Sequence, residues 1–197
     1  MLSMETSIQK DTKELILDLA EDLIHQKGYN AFSYKDLSTV LGIKNASIHY
    51  HFPSKEDLGV AVVARAKDKL LSLKAKAQSK NLSAIEELDF FFSIFIHYLE
   101  KKLKVGLMGT LAANYFAIPE KMQKLGQELL ISCQEWLQEI LNRGNSNENF
   151  FICNSLEIKS LQILAALEGA LQMSRFLGKD RFYDIVQVLK DDLIFKK

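Results

Sequence analysis

The chain has 197 residues, of which 48% are hydrophobic and 25% charged, enough for one compact domain, or a small module joined to a larger one, with a core that needs no staples. Its 25 basic and 25 acidic residues cancel, so no global basic field announces nucleic acid, and such a partner must be read from local charge. Two prolines, nine glycines and two cysteines, Cys133 and Cys153, exclude collagen-like, low-complexity, loop-rich β and multi-bridge secreted architectures.

The opening residues, MLSMETSIQK, are polar and lack the apolar stretch of a secretory signal. Ile16, Leu19, Ala20, Leu23 and Ile24 then form one stripe on a helix from about Asp11 to Gln26, with Gly28 as its stop. A short helix opens at Ser33, with Asp36 near its first turn and Leu37, Val40 and Leu41 as its apolar face, and Gly42 ends it. A third short segment runs from Asn45 to about Phe52 and is stopped by Pro53. Ser54, followed by Lys55, Glu56 and Asp57, caps a fourth helix that reaches about Ala77.

Longer helices follow. Ser83 and Glu86 spell a capping box for a helix to about Leu103 that is apolar on nearly every side. Its stretch from Leu88 to Leu99 is broken by Asp89, Ser93 and His97 and is too short to span a bilayer. Gly106 to Phe116, Glu120 to Leu141, Ser155 to Leu177 and Asp180 to Phe195 complete the series, with Arg143 to Asn149 as the clearest loop. The expectation is an all-α, soluble, cytoplasmic protein of about nine helices. Residues 1–53 form a DNA-binding head with a flexible arm at 1–10. Residues 54–197 form a regulatory and dimerisation body, helix 54–77 linking the two.

The chemistry sits between residues 28 and 58. Three short helices with tight turns outline a helix-turn-helix, a unit that holds one helix in a DNA groove, although ordinary helical domains share the outline. On a wheel of about 100° per residue, Ile48 and Phe52 point inward, and Tyr50 lies opposite, flanked by Ala46, Ser47 and His49. That outward face combines small residues with groups that bond base edges and phosphates. From Lys27 to Lys55 the basic residues are Lys27, Lys35, Lys44 and Lys55, against Asp36 alone. Ser33 and Ser54 each begin a helix, where free N–H groups suit a phosphate oxygen. Ser33, Lys44 and Lys55 are expected on phosphates and Ala46, Ser47, His49 and Tyr50 in the groove, with Lys35, Asn45 and His51 completing the DNA-binding set. Asp11, Glu14, Asp18, Glu21 and Asp22 leave the head mildly acidic as a whole, so binding should be strongly salt-dependent.

The stretch from Gly28 to Leu58, above all His49-Tyr-His-Phe-Pro-Ser-Lys-Glu-Asp-Leu58, resembles the DNA-binding domain of the TetR/AcrR family of transcriptional regulators. Two departures stand out. Lys44 occupies a position where the family often has Ser or Thr, which moves the expected recognition-helix cap to Asn45, and His49 replaces a common Tyr. The resemblance implies a homodimer that sets two recognition helices in successive major grooves of a near-palindromic operator. It also implies a small effector in the C-terminal domain that spreads the heads and releases the DNA.

The remaining two thirds carry weaker signals. Arg65, Lys67, Lys69, Lys74, Lys76 and Lys80 face Asp68, reading as a solvated helix face or as a positive shoulder near DNA. Phe92, Phe95, His97, Tyr98, Tyr115 and Trp136 read as plain core or, through the resemblance, as the lining of a hydrophobic effector pocket. Gly106 to Asn114 resembles one branch of the family in which some relatives carry a cysteine near Gly106. Here there is none, and nothing beside Cys133 or Cys153 marks a redox sensor. Ala166, Gly169, Ala170 and Met173, with Phe182, Val186 and Leu189, form a strip that an intramolecular core would use but that the resemblance assigns to a dimeric four-helix bundle.

No Gly-rich phosphate loop, HExxH, paired CxxC or GxSxG is present, so no catalytic residue, metal or cofactor is expected. The leading expectation is a ligand-responsive, dimeric repressor. The alternatives are a constitutive nucleoid-associated adaptor with a protein partner and no small ligand, which a closed C-terminal core would favour, and a non-DNA helical sensor or enzyme.

Overall fold

The computed structural model describes residues 11–101, 106–147, 150–152 and 155–194. Among these there are nine α-helices and two short 3-10 turns, and the one extended pairing is an antiparallel bridge between Phe150 and Ile194. The all-α expectation holds. The arm at 1–10 and Cys153 lie outside the described residues.

Helix α1 (Thr12–Lys27) ends at Gly28, whose φ of 86° suits only a residue without a β-carbon. After a 3-10 turn (Tyr29–Ala31) come α2 (Tyr34–Leu41) and α3 (Asn45–His51), separated by Gly42 in the left-handed conformation. Helices α4 (Lys55–Ser79) and α5 (Ala84–Glu100) start, like α2, on full capping boxes: Ser33 with Asp36, Ser54 with Asp57, Ser83 with Glu86. Each box satisfies two N–H groups that a helix start would otherwise leave open. The short α6 (Leu107–Ala113) and a second 3-10 turn (Tyr115–Ala117) lead to α7 (Glu120–Asn147), α8 (Leu156–Leu177) and α9 (Asp180–Asp191).

Helix α4 packs on α1 of the head and on α7 of the body. In turn α7 packs on α5 and α8, and α8 on α9. The recognition-helix cap is Lys44 rather than Asn45, which is already the first helical residue. Helix α7 runs on to Asn147, through most of the expected loop. Tertiary contacts override the local turn preference there. The Phe150 ring folds against Gly144 where a β-carbon would stand, its N–H donates to the Gly144 carbonyl at 3.0 Å, and Arg143 pairs with Glu87.

Glu87 explains how the greasy α5 is fixed in rotation. It is 2% exposed, and its Oε1 accepts the indole N–H of Trp136 at 2.6 Å. Trp136 also meets Phe91 edge-on, with ring centres 5.2 Å apart. A buried carboxylate is tolerable because an indole N–H and a guanidinium both point at it. Glu87→Leu should therefore lower stability by about 1–3 kcal/mol, through the orphaned indole N–H, and denaturant unfolding followed by Trp136 fluorescence measures it.

Candidate nucleic-acid interface and internal cavity

Ile48 and Phe52 are buried, and their burial turns the rest of α3 outward. Lys44, Asn45, Ala46, His49 and Tyr50 are exposed, Ser47 and His51 half-buried, and Tyr50 stands 83% exposed. This is the face the wheel predicts. Tyr34 at the start of α2, which sequence reasoning did not single out, braces it. Its hydroxyl shares one proton between the carbonyls of Phe52 at 2.9 Å and Ser54 at 2.5 Å, and its ring meets His49 at 4.8 Å. His49 Nδ1 also lies 3.2 Å from the Pro53 carbonyl.

Three expected phosphate contacts are otherwise engaged. The Ser33 hydroxyl and N–H both donate to Asp36 Oδ2 at 2.7 Å, so a carboxylate already occupies that helix start. Ser54 does the same with Asp57. The Lys55 ammonium donates to the Phe32 carbonyl at 2.5 Å and lies 4.7 and 4.5 Å from the ring centres of Tyr29 and Phe32. Burial lowers its pKa, with Asp36 opposing. Lys55 thus staples α4 to the turn before α2, leaving Lys35 and Lys44 as the exposed cations of the expected set.

Of the basic residues from Arg65 to Lys80 on α4 and its exit, half are held in ion pairs, while Lys69, Lys76 and Lys80 are exposed. Arg65 pairs with Glu14 at 3.3 Å, with Asp18 at 2.9 Å and with Glu21, all on α1, while Lys67 and Lys74 reach Glu128 and Glu139 on α7 at 2.6 and 2.7 Å.

Between α4, α5, α6, α7 and α8 lies a cavity of about 320 Å³. Leu70, Leu73, Phe90, Ile94, Phe95, Leu107, Met108 and Leu129 supply apolar wall, and the exposed Lys69, Ser93 and His97 stand on the α4 and α5 side. Of the expected lining, Phe95, His97 and Tyr98 are present. Phe92 and Trp136 are not, because both are buried in the core beside it, and half-exposed Tyr115 lines a separate cleft with Met122 and Leu130. Sequence reasoning missed Cys133 and Glu168, which also face the cavity. Burial, with Glu168 nearby, pushes the Cys133 thiol up to about 12, which keeps it protonated and unreactive. Burial likewise pushes Glu168 up to about 7, opposed by the Gly109 N–H and by His25.

The cavity touches the head. The Tyr98 ring meets that of His25 of α1 at a tilt, with ring centres 5.1 Å apart, and His25 Nε2 lies 3.8 Å from Glu21. A second bridge runs from Asn30 Nδ2 to the Ala117 carbonyl at 2.9 Å, beside the packing of Gly28 on Asn114.

On the far side, Ala170, Phe182 and Leu189 are buried within the chain, because they close the contact between α8 and α9, and Ala166 and Val186 are half-buried. The exposed stripe is instead Ile158, Leu161, Ala165, Met173 and Phe176, with open space above Gly169. Phe176 is 91% exposed.

A short three-helix head with an outward polar helix, joined to a larger helical body with a cavity, defines a helix-turn-helix regulator. Residues 16–62 match the bacterial regulatory proteins of the tetR family. A TetR transcriptional regulator from Legionella pneumophila is 35% identical, with a TM-score of 0.85 over 93% of this chain and 98% of that one. A TetR-family regulator from Agrobacterium tumefaciens is 28% identical, with a TM-score of 0.86 over 93% of this chain and 97% of that one. The biofilm operon icaADBC HTH-type negative transcriptional regulator IcaR of Staphylococcus aureus is 27% identical over 89% of this chain and 97% of its own. The chain belongs to the TetR family and is a DNA-binding transcriptional regulator, a class that is not enzymatic. No described helix is long and apolar enough to cross a membrane.

Two outcomes follow from this geometry. Lys44→Ala should reduce the salt slope of DNA binding by about one for each head bound, whereas Lys55→Ala should leave the slope unchanged and lower the thermal midpoint, as anisotropy titrations and melting curves will tell. Glu168 has the opposite sign from a paired carboxylate: as pH rises through its ordinary 4.5 the unfolded chain ionises first, and stability falls until about pH 7. Glu168→Gln should therefore stabilise by on the order of 3 kcal/mol above pH 7 and by little at pH 4.5, measured by urea unfolding at the two pH values.

Proposed function

We propose that this chain is a repressor that binds a near-palindromic operator as a homodimer and is released by a small, largely apolar effector held in the cavity. One observation carries the reading: the ring of the cavity residue Tyr98 meets that of His25 of α1 at a tilt, with centres 5.1 Å apart, so an occupant of the cavity and the DNA-binding head share a wall. An opening of about 320 Å³ falls within the range of small-molecule sites. It weighs against the constitutive adaptor, for which a closed core was the expected sign. The negative sign of regulation follows IcaR, a negative regulator by name.

In this reading α3 lies in the major groove and reads bases through Tyr50, His49 and Asn45, while Lys44 and Lys35 hold phosphates. The head is residues 1–53, with α4 as the link. The stripe from Ile158 to Phe176 meets its symmetry mate, an isologous contact in which Gly169 lets two helices approach closely.

Fluorescence anisotropy with DNA from upstream of the protein's own gene, against a scrambled duplex at two salt concentrations, tests the DNA side. The upstream duplex should bind more tightly at both salts. Tyr50→Ala should lose about tenfold or more of that preference, with no change in mass by sedimentation. Gly169→Glu should give a monomer and lose operator binding altogether. Equal binding of both duplexes by the native protein, or a Tyr50→Ala variant with full preference, refutes the assignment.

A further inference from the structure

The cavity is not uniformly apolar. Glu168 of α8 lines it, with both carboxylate oxygens tucked against Gly106, inaccessible to solvent, and near no other donor than the Gly109 N–H among the described groups. Space for the carboxylate exists because residue 106 is glycine: a β-carbon there would stand 2.5 Å from Oε1 and 2.8 Å from Oε2. A buried carboxylate met by so little is expensive unless something arrives to meet it. The groups around it indicate what. Phe90, Phe95 and Tyr98 line the same space, and aromatic rings attract cations. Tyr98 itself stays neutral, since burial raises its pKa well beyond the ordinary value.

Resting on the reading of the cavity as an effector site, we infer that its ligand is a lipophilic cation, a protonated or quaternary amine on an aromatic or alkyl body, whose charge is met by Glu168. A neutral ligand offers the carboxylate no charge, and an anion would face it directly. The other titratable groups turned toward this space fit the assignment. Lys69 of α4 is exposed, where solvent screens it. His97 is exposed, Tyr98 and the Cys133 thiol of α7 are neutral, α6 contributes only backbone and apolar groups, and His25 of α1, the one cation-forming group that favours the ionised carboxylate, is engaged with Glu21 and Tyr98. Because burial holds Glu168 near pKa 7 in the empty site, a cation that ionises it must expel a proton at mildly acid pH.

Calorimetric titration of the full chain with benzyltrimethylammonium and with neopentylbenzene, its neutral carbon isostere, tests this. The cation should bind at least about tenfold more tightly. Glu168→Gln should lose that advantage and keep the affinity for the isostere, and Gly106→Ala, which displaces the carboxylate, should reduce it in part. On the native protein alone, binding of the cation at pH 6 in buffers of different ionisation enthalpy should release most of one proton. Equal affinity for the two probes, an unaltered cation affinity in Glu168→Gln, or no proton release overturns the charge assignment and leaves the effector cavity standing. Failure of both probes to bind overturns the assignment and the cavity reading together.

Discussion

Arg65 ties the head to the body, and the rest of the molecule depends on that tie. Its guanidinium, on α4, is ringed by Glu14, Asp18 and Glu21, which share one face of α1. Without the cation, three carboxylates would repel one another along that face. Burial by itself would raise the pKa of Glu21, but His25 and Arg65 reverse the effect and hold it at about 2. The stabilisation is thus present above the ordinary 4.5 and is lost as the pH falls toward 2. With Lys55 stapled to Phe32 at the other end of the contact, α1, α2, α3 and the start of α4 are bound into one body. The far part of α4 is held to α7 by Lys67 and Lys74. In the proposed switch, a displacement of α4 against α7 reaches α1 through Arg65 and the turn before α2 through Lys55.

The cavity is placed to cause such a displacement. Its wall includes Ala66, Lys69, Leu70 and Leu73, which follow Arg65 along α4, and Tyr98, which touches His25. A ligand can shift the head only by as much as its affinity differs between the two arrangements, so a hundredfold preference supplies about 2.7 kcal/mol. That is the scale of the contacts at stake: one ring contact, one hydrogen bond from Asn30 to Ala117, and the packing of Gly28 on Asn114. The head meets the cavity wall through a few modest interactions, which is what the proposed reversible switch requires.

The head was almost fully legible in the sequence because its information is local. Capping boxes at Ser33 and Ser54, a left-handed glycine at 42 and the inward pair Ile48 and Phe52 are each set by neighbours a few residues away. What failed to show was where long side chains go. Lys55 reads as a surface lysine in one dimension and turns inward to a carbonyl 23 residues away. The end of α7 failed for the same reason, since Arg143 to Asn147 has turn composition and is held helical by Phe150 and Glu87. In the pocket, Phe95, His97 and Tyr98 followed from the helix pattern, but Glu168 did not. A glutamate between Leu167 and Gly169 looks like a solvated position, and nothing in its own neighbourhood reveals that Gly106 has left room for it inside.

That carboxylate opposes folding at neutral pH, which makes it the most informative side chain in the body. Apolar walls discriminate poorly: a methylene more or less in a hydrophobic pocket changes affinity by about 1–3 kcal/mol. A site built around a buried polar group discriminates far better, because any occupant that fails to satisfy that group leaves it desolvated and unpaired. In the proposed effector site, Glu168 turns a cavity suited to many greasy molecules into one that rejects most of them. The same residue loads the free state with an unfavourable interaction that the right occupant removes, so ligand binding and stability are drawn from one source. Its position on α8 adds a last consequence. The helix that carries Glu168 also bears Ile158, Leu161 and Phe176 on its outer face, so in the proposed dimer a change in charge at the ligand is made on the same element that would meet the second copy of the chain.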